Sequence, residues 1–582
     1  MPEDRTILPD TAATVVSFEI KINNAAIPLT IAVESIFVQK ELNRIPVAKV
    51  VLIDGNPAEE QFETSDGNLF IPGNEIEILA GYDSDNKTLF KGLIVKQQVK
   101  IRSNNSILIV ECRDKIIQAT GVKKNKYFSE GVKDSDIFSE LLRPYNLGTD
   151  IQATDINHKQ IIQYQSTDWD FILTRADVAG KVVIADDGNI QIKEPDLNSN
   201  PIISLVYGAT ILELDADIDA RYQYKKVLTR SWSSDDQAIT EVEISDPGIQ
   251  LNGNIEAGDL SKVMDAEQVV LQHGGDINSE ELQTWGSSFW EKHQAAKVRG
   301  RVKFKGTEAV KPGKTIELGG VGDRFNGKCF VGGIRHFISA GEWQTDAQLG
   351  VDPEWFSKNY NNENNPAAGL VPGITGLQIG IVTQLEGDPD GKNRIKLYLP
   401  IINKDEQGCW ARVCTLDAGQ DRGSFFLPEI SDEVIVGFLN DDPREAIVLG
   451  MLNSSAKPAP LTASDDNHEK GFVTRSKMKM IFNDEKSSFT LETPKGKFFI
   501  LDDDAGIIKL EDDFGNKIIL DQDGINIESS KDMKLKASNN YNLEALKIES
   551  KANTTLRAEG SAGAEFVSSS TVTIQGAIVR IN

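Results

Sequence analysis

The sequence predicts a mainly β chain: N-terminal β-barrels carrying a few helices, a small five-stranded barrel, and a C-terminal intertwined triple-stranded β-helix that is complete only as a homotrimer. Three observations predict this. Short β-branched and aromatic runs alternate with Gly, Pro, Asn and Asp turns along most of the chain. Stripes of apolar residues at helical spacing occur in only a few places. The last part repeats, with one short strand per lap of eight to ten residues.

From Thr14 to Val110 the runs Val15–Ile20, Glu75–Leu79 and Ser106–Val110 alternate with turns such as Asp54-Gly55-Asn56-Pro57, the texture of an antiparallel barrel or sandwich. A helix follows, capped by Asp134 or Ser135, carrying Ile137, Phe138, Leu141 and Leu142, and stopped by Pro144. Thr167-Asp168-Trp169-Asp170 fits a capping box for a second helix with Ile172, Leu173, Ala176 and Ala179 inside and Gly180 at its end. Strands resume to Gly350, interrupted by a helix whose Leu282, Trp285, Phe289, His293 and Ala296 recur at three- and four-residue spacing. His293 is read as the edge of that packed stripe, without chemistry.

The polar stretch Asn359–Pro366 marks a domain boundary, and Ser454–Lys470 is a second connector. The expected division is 1–365, 366–455 for the small barrel, a linker over 456–471, and the repeat over 472–582. In the repeat, Gly496, Gly506, Gly515 and Gly524 each precede a strand, after which Ile527, Leu535 and Leu543, then Ile548, Leu556, Ala564 and Val572, are spaced by eights. A single-chain β-helix needs about 20 residues per lap. Laps this short leave the apolar face for other chains to cover, so Ile508, Leu510, Ile518, Leu520, Ile525, Ile527, Leu535, Leu543, Ile548, Leu556, Val572 and Ile574 are the expected core of a trimeric needle, pairing its strands between chains.

Composition narrows the function. The chain of 582 residues carries 62 Lys and Arg against 88 Asp and Glu, a net charge of −26, the wrong sign for nucleic acid or anionic lipid. The N-terminal MPEDRTILPD has no signal-peptide pattern, no run of about 18 apolar residues occurs, and the four cysteines form no CxxC pair. The expectation is a protein folded in the cytoplasm and delivered outside the cell, or into a target cell, by other machinery. Gly322–Cys329 satisfies GxxxxGK but puts Cys at the Ser/Thr position and continues as strand, so it reads as a turn. Asp502–Gly506 and Asp521–Gly524 lack the later Glu of a calcium loop and also read as turns. The five histidines are scattered; no catalytic, cofactor or metal site is expected.

One series of motifs is specific. Asp388-Pro389-Asp390-Gly391-Lys392-Asn393-Arg394 resembles the stretch that opens the OB-fold of VgrG proteins, and Trp410, Arg412, Gly423, Pro428, Asp432, Glu433, Gly437, Pro443 and Gly450 follow in the family's order. Lys392-Asn393 departs from the small residue and glycine often found there. Tyr164–Arg175 and Gly327–His336 are similar to the gp27-type hub of phage tails. The resemblance to VgrG and gp27–gp5 spikes of contractile injection systems covers nearly the whole chain. It implies a trimeric hub and spike seated on a hexameric, Hcp-like inner tube, with baseplate proteins, effector cargo, and a PAAR-like tip protein on Val579, Arg580, Ile581 and Asn582. It does not separate type VI secretion from extracellular injection particles. The competing readings are a secreted effector enzyme and a cell-surface-binding fibre. Against them stand the absence of room for a lysozyme domain between barrel and repeat, and the single aromatic residue, Phe566, after Thr554.

Overall fold

The computed structural model describes residues 15–581 except 104, 276, 360–371 and 404–407. The boundary stretch after Asn359, the first fourteen residues and Asn582 lie outside the described residues. The chain divides into two compact units, Met1–Asn365 and Pro366–Asn582.

The first unit is built on a thirteen-stranded sheet that serves two apolar cores. One holds Ile36, Val50, Ile78, Phe90 and Leu108, and the other Val302, Phe304, Ile316 and Val331. The long strand Gly327–Ser339 joins them. Its first residues pair with Thr315–Gly319 and its last with Val33–Glu41, so Cys329 and Val331 pack into one core and Ile338 into the other. The crossover falls on Gly332 and Gly333, where the register shifts. A Cβ on Gly332 would lie 2.3 Å from the Gly350 carbonyl oxygen, which is why the sequence places glycine there.

Two helical lobes attach to this frame. In the first, the helices Asp134–Leu142 and Asp168–Val178 share a core with the strands Val182–Asp186 and Asn189–Lys193. Thr167 caps the second helix as expected, its Oγ1 accepting the Asp170 amide at 3.1 Å. The first helix differs: its cap is Lys133, and Asp134 and Ser135 lie inside the first turn, the Asp134 carboxylate on His158 and Arg175 and the Ser135 hydroxyl accepting the Thr154 amide. In the second lobe, helix Ser279–Ala295 packs on a three-stranded sheet through Phe289 and Trp290. His293 is buried there with Nδ1 2.7 Å from the Phe289 carbonyl, and burial pushes its pKa down to about 4.

In the second unit, strands Gln378–Gln384, Ile395–Tyr398, Cys409–Val413, Ala446–Met451 and Glu433–Phe438 close a five-stranded barrel around Val382, Leu397, Val434 and Val448. The chain then forms a seven-stranded antiparallel meander, each strand paired with the next: Glu469–Val473, Lys479–Asn483, Ser488–Glu492, Phe498–Asp502, Ile507–Glu511, Lys517–Asp521 and Gly524–Glu528. Its first strand begins inside the stretch read as linker. Its backbone pairing is within the chain, where the repeat had suggested pairing between chains. The lap of nine or ten residues is one strand plus one hairpin turn, long enough to turn back on itself. Among the described residues after Glu528 there is no strand, and every residue but Ser529 is exposed.

Candidate assembly surface

The register of the meander sorts its side chains cleanly. Phe472 faces Met480, Phe482 faces Phe489, and Leu491 faces Phe499. Leu501 faces Ile508, which faces Leu520, and Leu510 faces Ile518, which faces Ile527; Leu520 also faces Ile525. Opposed residues of an antiparallel pair lie on one side of the sheet. One face therefore carries two unbroken columns, apolar except for Lys470, over a height of about 29 Å for seven strands. The other face mixes the Lys479–Glu492 and Lys517–Glu528 ion pairs, Asp502, Glu511 and Asp521 with the apolar Ile481, Phe498, Ile500, Ile507 and Ile519.

Among the described residues, only the Phe426 ring, against Phe472 at the first strand, is seen to lie on the apolar face, and most of that face stays open. Phe482 is 46% exposed, Leu510 52% and Ile525 70%. All twelve residues assigned from sequence to the needle core are exposed. The sheet brings Ile508, Leu510, Ile518, Leu520, Ile525 and Ile527 together; Leu535, Leu543, Ile548, Leu556, Val572 and Ile574 lie in the strandless stretch and are not brought together within one chain. Val579, Arg580 and Ile581 are exposed at the far end.

Sequence reading missed the first half of this face, Phe472 to Leu501, because the laps were read singly. The turns show a longer unit of two strands. Thr474, Thr493 and Asp512 each accept the amide four residues on, from Met478, Lys497 and Asn516. Across the sheet, Asn483, Asp502 and Asp521 each accept an amide within their own turns, from Lys486, Ala505 and Asp523. Positive φ recurs at Lys477, Gly496 and Gly515. These positions recur every nineteen residues, the signal that would have found the whole face. The acidic groups are accordingly turn acceptors.

The barrel's signature residues also have a geometry. The Asp388 carboxylate accepts the amides of Asp390, Lys392 and Arg394 at 3.1, 2.7 and 3.2 Å and pairs with the Arg394 guanidinium at 2.5 Å. That ion pair and the three amides hold its pKa well below the usual carboxylate range. Gly391 has φ +63°, and Gly423, at φ +132°, leaves no room for a Cβ beside the Asp417 carbonyl. Pro389 completes the same loop, Trp410 lies under the Lys396 ammonium at 5.7 Å, and Arg412 points to solvent from the same strand. Pro428 is buried, Asp432 accepts the Glu429 amide, Glu433 pairs with Ile381, and Gly450 with Ile435. Gly437 lies against Leu377 and Leu449, and Pro443 sits between the ion-paired Asp442 and Arg444. Beyond the barrel, Phe426 stacks on Phe472 at 5.2 Å and Arg475 pairs with Glu429 at 2.8 Å, tying barrel to sheet.

In the first unit, His158 is held between Asp134 and Glu281, both at 2.8 Å, with Arg175 on Asp134. Burial disfavours the imidazolium, but the two carboxylates outweigh it and raise the pKa to about 9. This network joins the two helical lobes. Its partners are far apart in sequence, so no spacing announced it.

A family model described as the Alg8 N-terminal domain matches residues 12–340, more than half of the chain. The chain belongs to the Alg8 N-terminal domain family. A second model, the type VI secretion system/phage-baseplate injector OB domain, matches residues 378–452 of this Alg8-family chain, the closed barrel. Among curated proteins, the chain is 31% identical over 112 residues to the type VI secretion system spike protein VgrG3 of Vibrio cholerae, covering 18% of this chain and 11% of that one. It is 30% identical over 113 residues to the spike protein VgrG1a of Pseudomonas aeruginosa, covering 18% of each. The match therefore spans less than a fifth of these relatives' own length. An E. coli type VI secretion component, described as similar to the T4 tail proteins gp27 and gp5, superposes with TM-score 0.39 at 12% identity, covering 75% of this chain and 100% of that chain. The resemblance to VgrG spikes read from the barrel motifs is thus found in the comparisons, and the mainly β architecture with its small barrel is found in the structure. Among the described residues no helix is long and apolar enough to cross a membrane.

Proposed function

We propose that three copies of this chain form the central hub and spike of a contractile injection machine. In this reading residues 1–365 are the hub, 366–455 the OB collar, 456–471 the passage out of it, and 472–582 the needle, whose structured part opens at Glu469. The hub seats on a hexameric, Hcp-like inner tube among baseplate proteins. The exposed end at Val579–Asn582 receives a small PAAR-like tip protein, and effector cargo travels with the assembly.

The observation that carries this reading is the uncovered two-column apolar face. Each of its side chains would gain on the order of 1 kcal/mol when its remaining area is covered, so thirteen of them outweigh what screened charge repulsion between copies opposes. Three such faces turned inward close a prism whose outside carries the ion pairs. The matched OB domain and the similarity to VgrG spikes supply the machine in which such a needle works. The role is mechanical: ladders of backbone hydrogen bonds resist bending as the sheath drives the spike outward, and no step requires catalysis. The protein would leave the cell as part of that assembly.

The test is deletion of the chain from a cell that makes the machine, followed by electron microscopy of purified particles. Loss of assembled tubes and sheaths supports a hub and spike; complete particles without the chain contradict it.

A further inference from the structure

The needle region is not uniform, and the place where it changes is marked by one side chain. Up to Glu528 every strand finds its backbone partners in its own chain. Beyond it, residues 529–581 hold no strand and keep their recurring apolar side chains in solvent, Leu535 at 70% and Leu543 at 65% exposure. At the join, Asn516 accepts the Ser530 amide and the Ser529 hydroxyl through Oδ1, each at 3.0 Å, while its Nδ2 donates to Asp512 at 2.7 Å. The equivalent positions of the two earlier nineteen-residue units are Met478 and Lys497, which have no side-chain acceptor to capture a passing amide. There the meander continues; after Asn516 and the two strands that follow, it stops.

We propose, resting on the trimer reading above, that the needle assembles in two stages. The seven-stranded sheet folds within each chain and sets the alignment of the three copies. Residues 529–581 then take up strand pairing only between chains, once three sheets have met.

Two physical points favour this order. Hairpins between adjacent strands close short loops and form on their own within microseconds, whereas pairing between chains waits for encounter. The distal stretch also cannot set its own alignment. Its apolar residues recur by eights, so a slip of eight residues between chains restores nearly the same pattern. The sheet has no such ambiguity. Its columns hold Phe472, Phe482, Phe489 and Phe499, with Met480 and Leu491, in the first strands and only Leu and Ile from Leu501 onward, so the levels of three sheets match in size best when the chains are in step. The occupant of the apolar face is accordingly a second and third copy of the same face, since a different partner would have to reproduce this gradient along the sheet.

The experiment is pulsed hydrogen exchange during refolding of the full-length chain at two protein concentrations, with light scattering on the end product. The expected result is protection of residues 469–528 in a phase independent of concentration, followed by protection of 529–581 in a phase that speeds up with concentration. Simultaneous protection, or earlier protection of 529–581, overturns the order. A monomeric end product sinks the trimer reading itself. Two full-length variants test the same order at equilibrium: Leu556→Lys should remain a trimer with rapid exchange confined to 529–581, and Leu510→Lys should be monomeric with 529–581 exchanging as unstructured chain. A monomeric Leu556→Lys beside a trimeric Leu510→Lys overturns the proposal.

Discussion

Asn516 binds the backbone amide of Ser530 through its side-chain oxygen at 3.0 Å, at the point where strand pairing within the chain ends. The same side chain closes its own turn on Asp512, so the turn and the exit of the last strand are fixed together. Replacing it with the residue of the preceding unit, Asn516→Lys, should speed amide exchange at Ser530 by about tenfold, the equivalent of one lost hydrogen bond, while the mass of the assembly stays unchanged.

Neighbouring residues on opposite faces of the sheet should behave oppositely. Leu520 lies in the apolar columns and Ile519 on the opposite, mixed face that carries the ion pairs. Leu520→Lys removes about 1–3 kcal/mol of apolar burial per chain and places an ammonium at the junction of three sheets, so it should dissociate the assembly at micromolar concentration. Ile519→Lys should leave it intact. Sedimentation velocity of the two variants makes the comparison.

The His158 network predicts a pH dependence with a definite sign. Its pKa, about 9 when folded, stands above the ordinary value of 6.5. Its contribution is therefore fully present below pH 6.5 and is lost as pH rises through 9, with a size of about 3 kcal/mol. The Asp134 and Glu281 carboxylates, both held below their ordinary range by the same contacts, contribute above their unfolded values and lose that contribution in acid. His158→Gln should lower the unfolding midpoint of the first unit most at pH 6, and the gap from the parent chain should narrow by pH 9.5.

The loop that opens the barrel should depend on Asp388 more than on its ion-pair partner. Asp388→Ala frees three backbone amides and takes away one of the two carboxylates on the Arg394 guanidinium, whereas Arg394→Ala leaves the amides bound. Exchange across 388–394 should rise strongly in the first variant and weakly in the second. Because the Asp388 pKa is depressed, the parent loop should keep its protection until pH falls below the ordinary carboxylate range.

Much of this was legible in the sequence for local reasons. Thr167, Gly180 and the stripe of helix Ser279–Ala295 obey capping and periodicity rules that act within a few residues, and the barrel motifs are turn and ion-pair positions a few residues apart. What sequence reading missed depends on distance. Asp134 or Ser135 reads as the cap, but the Asp134 side chain turns to His158 and Arg175, which lie 24 and 41 positions away. Pairing in the repeat was assigned between chains because a five-residue strand looks incomplete alone. The turns fixed by Thr474, Thr493 and Asp512 fold those strands back on themselves. The apolar face that this leaves open is the feature the alternation of Ile, Leu and Phe did announce.

The most direct test of the whole account is the mass of the purified full-length chain by light scattering coupled to size exclusion. One chain is 64.0 kDa. The account predicts a single species near three times that value. A well-folded species at the mass of one chain, with the columns from Phe472 to Ile527 still open to solvent, would contradict it.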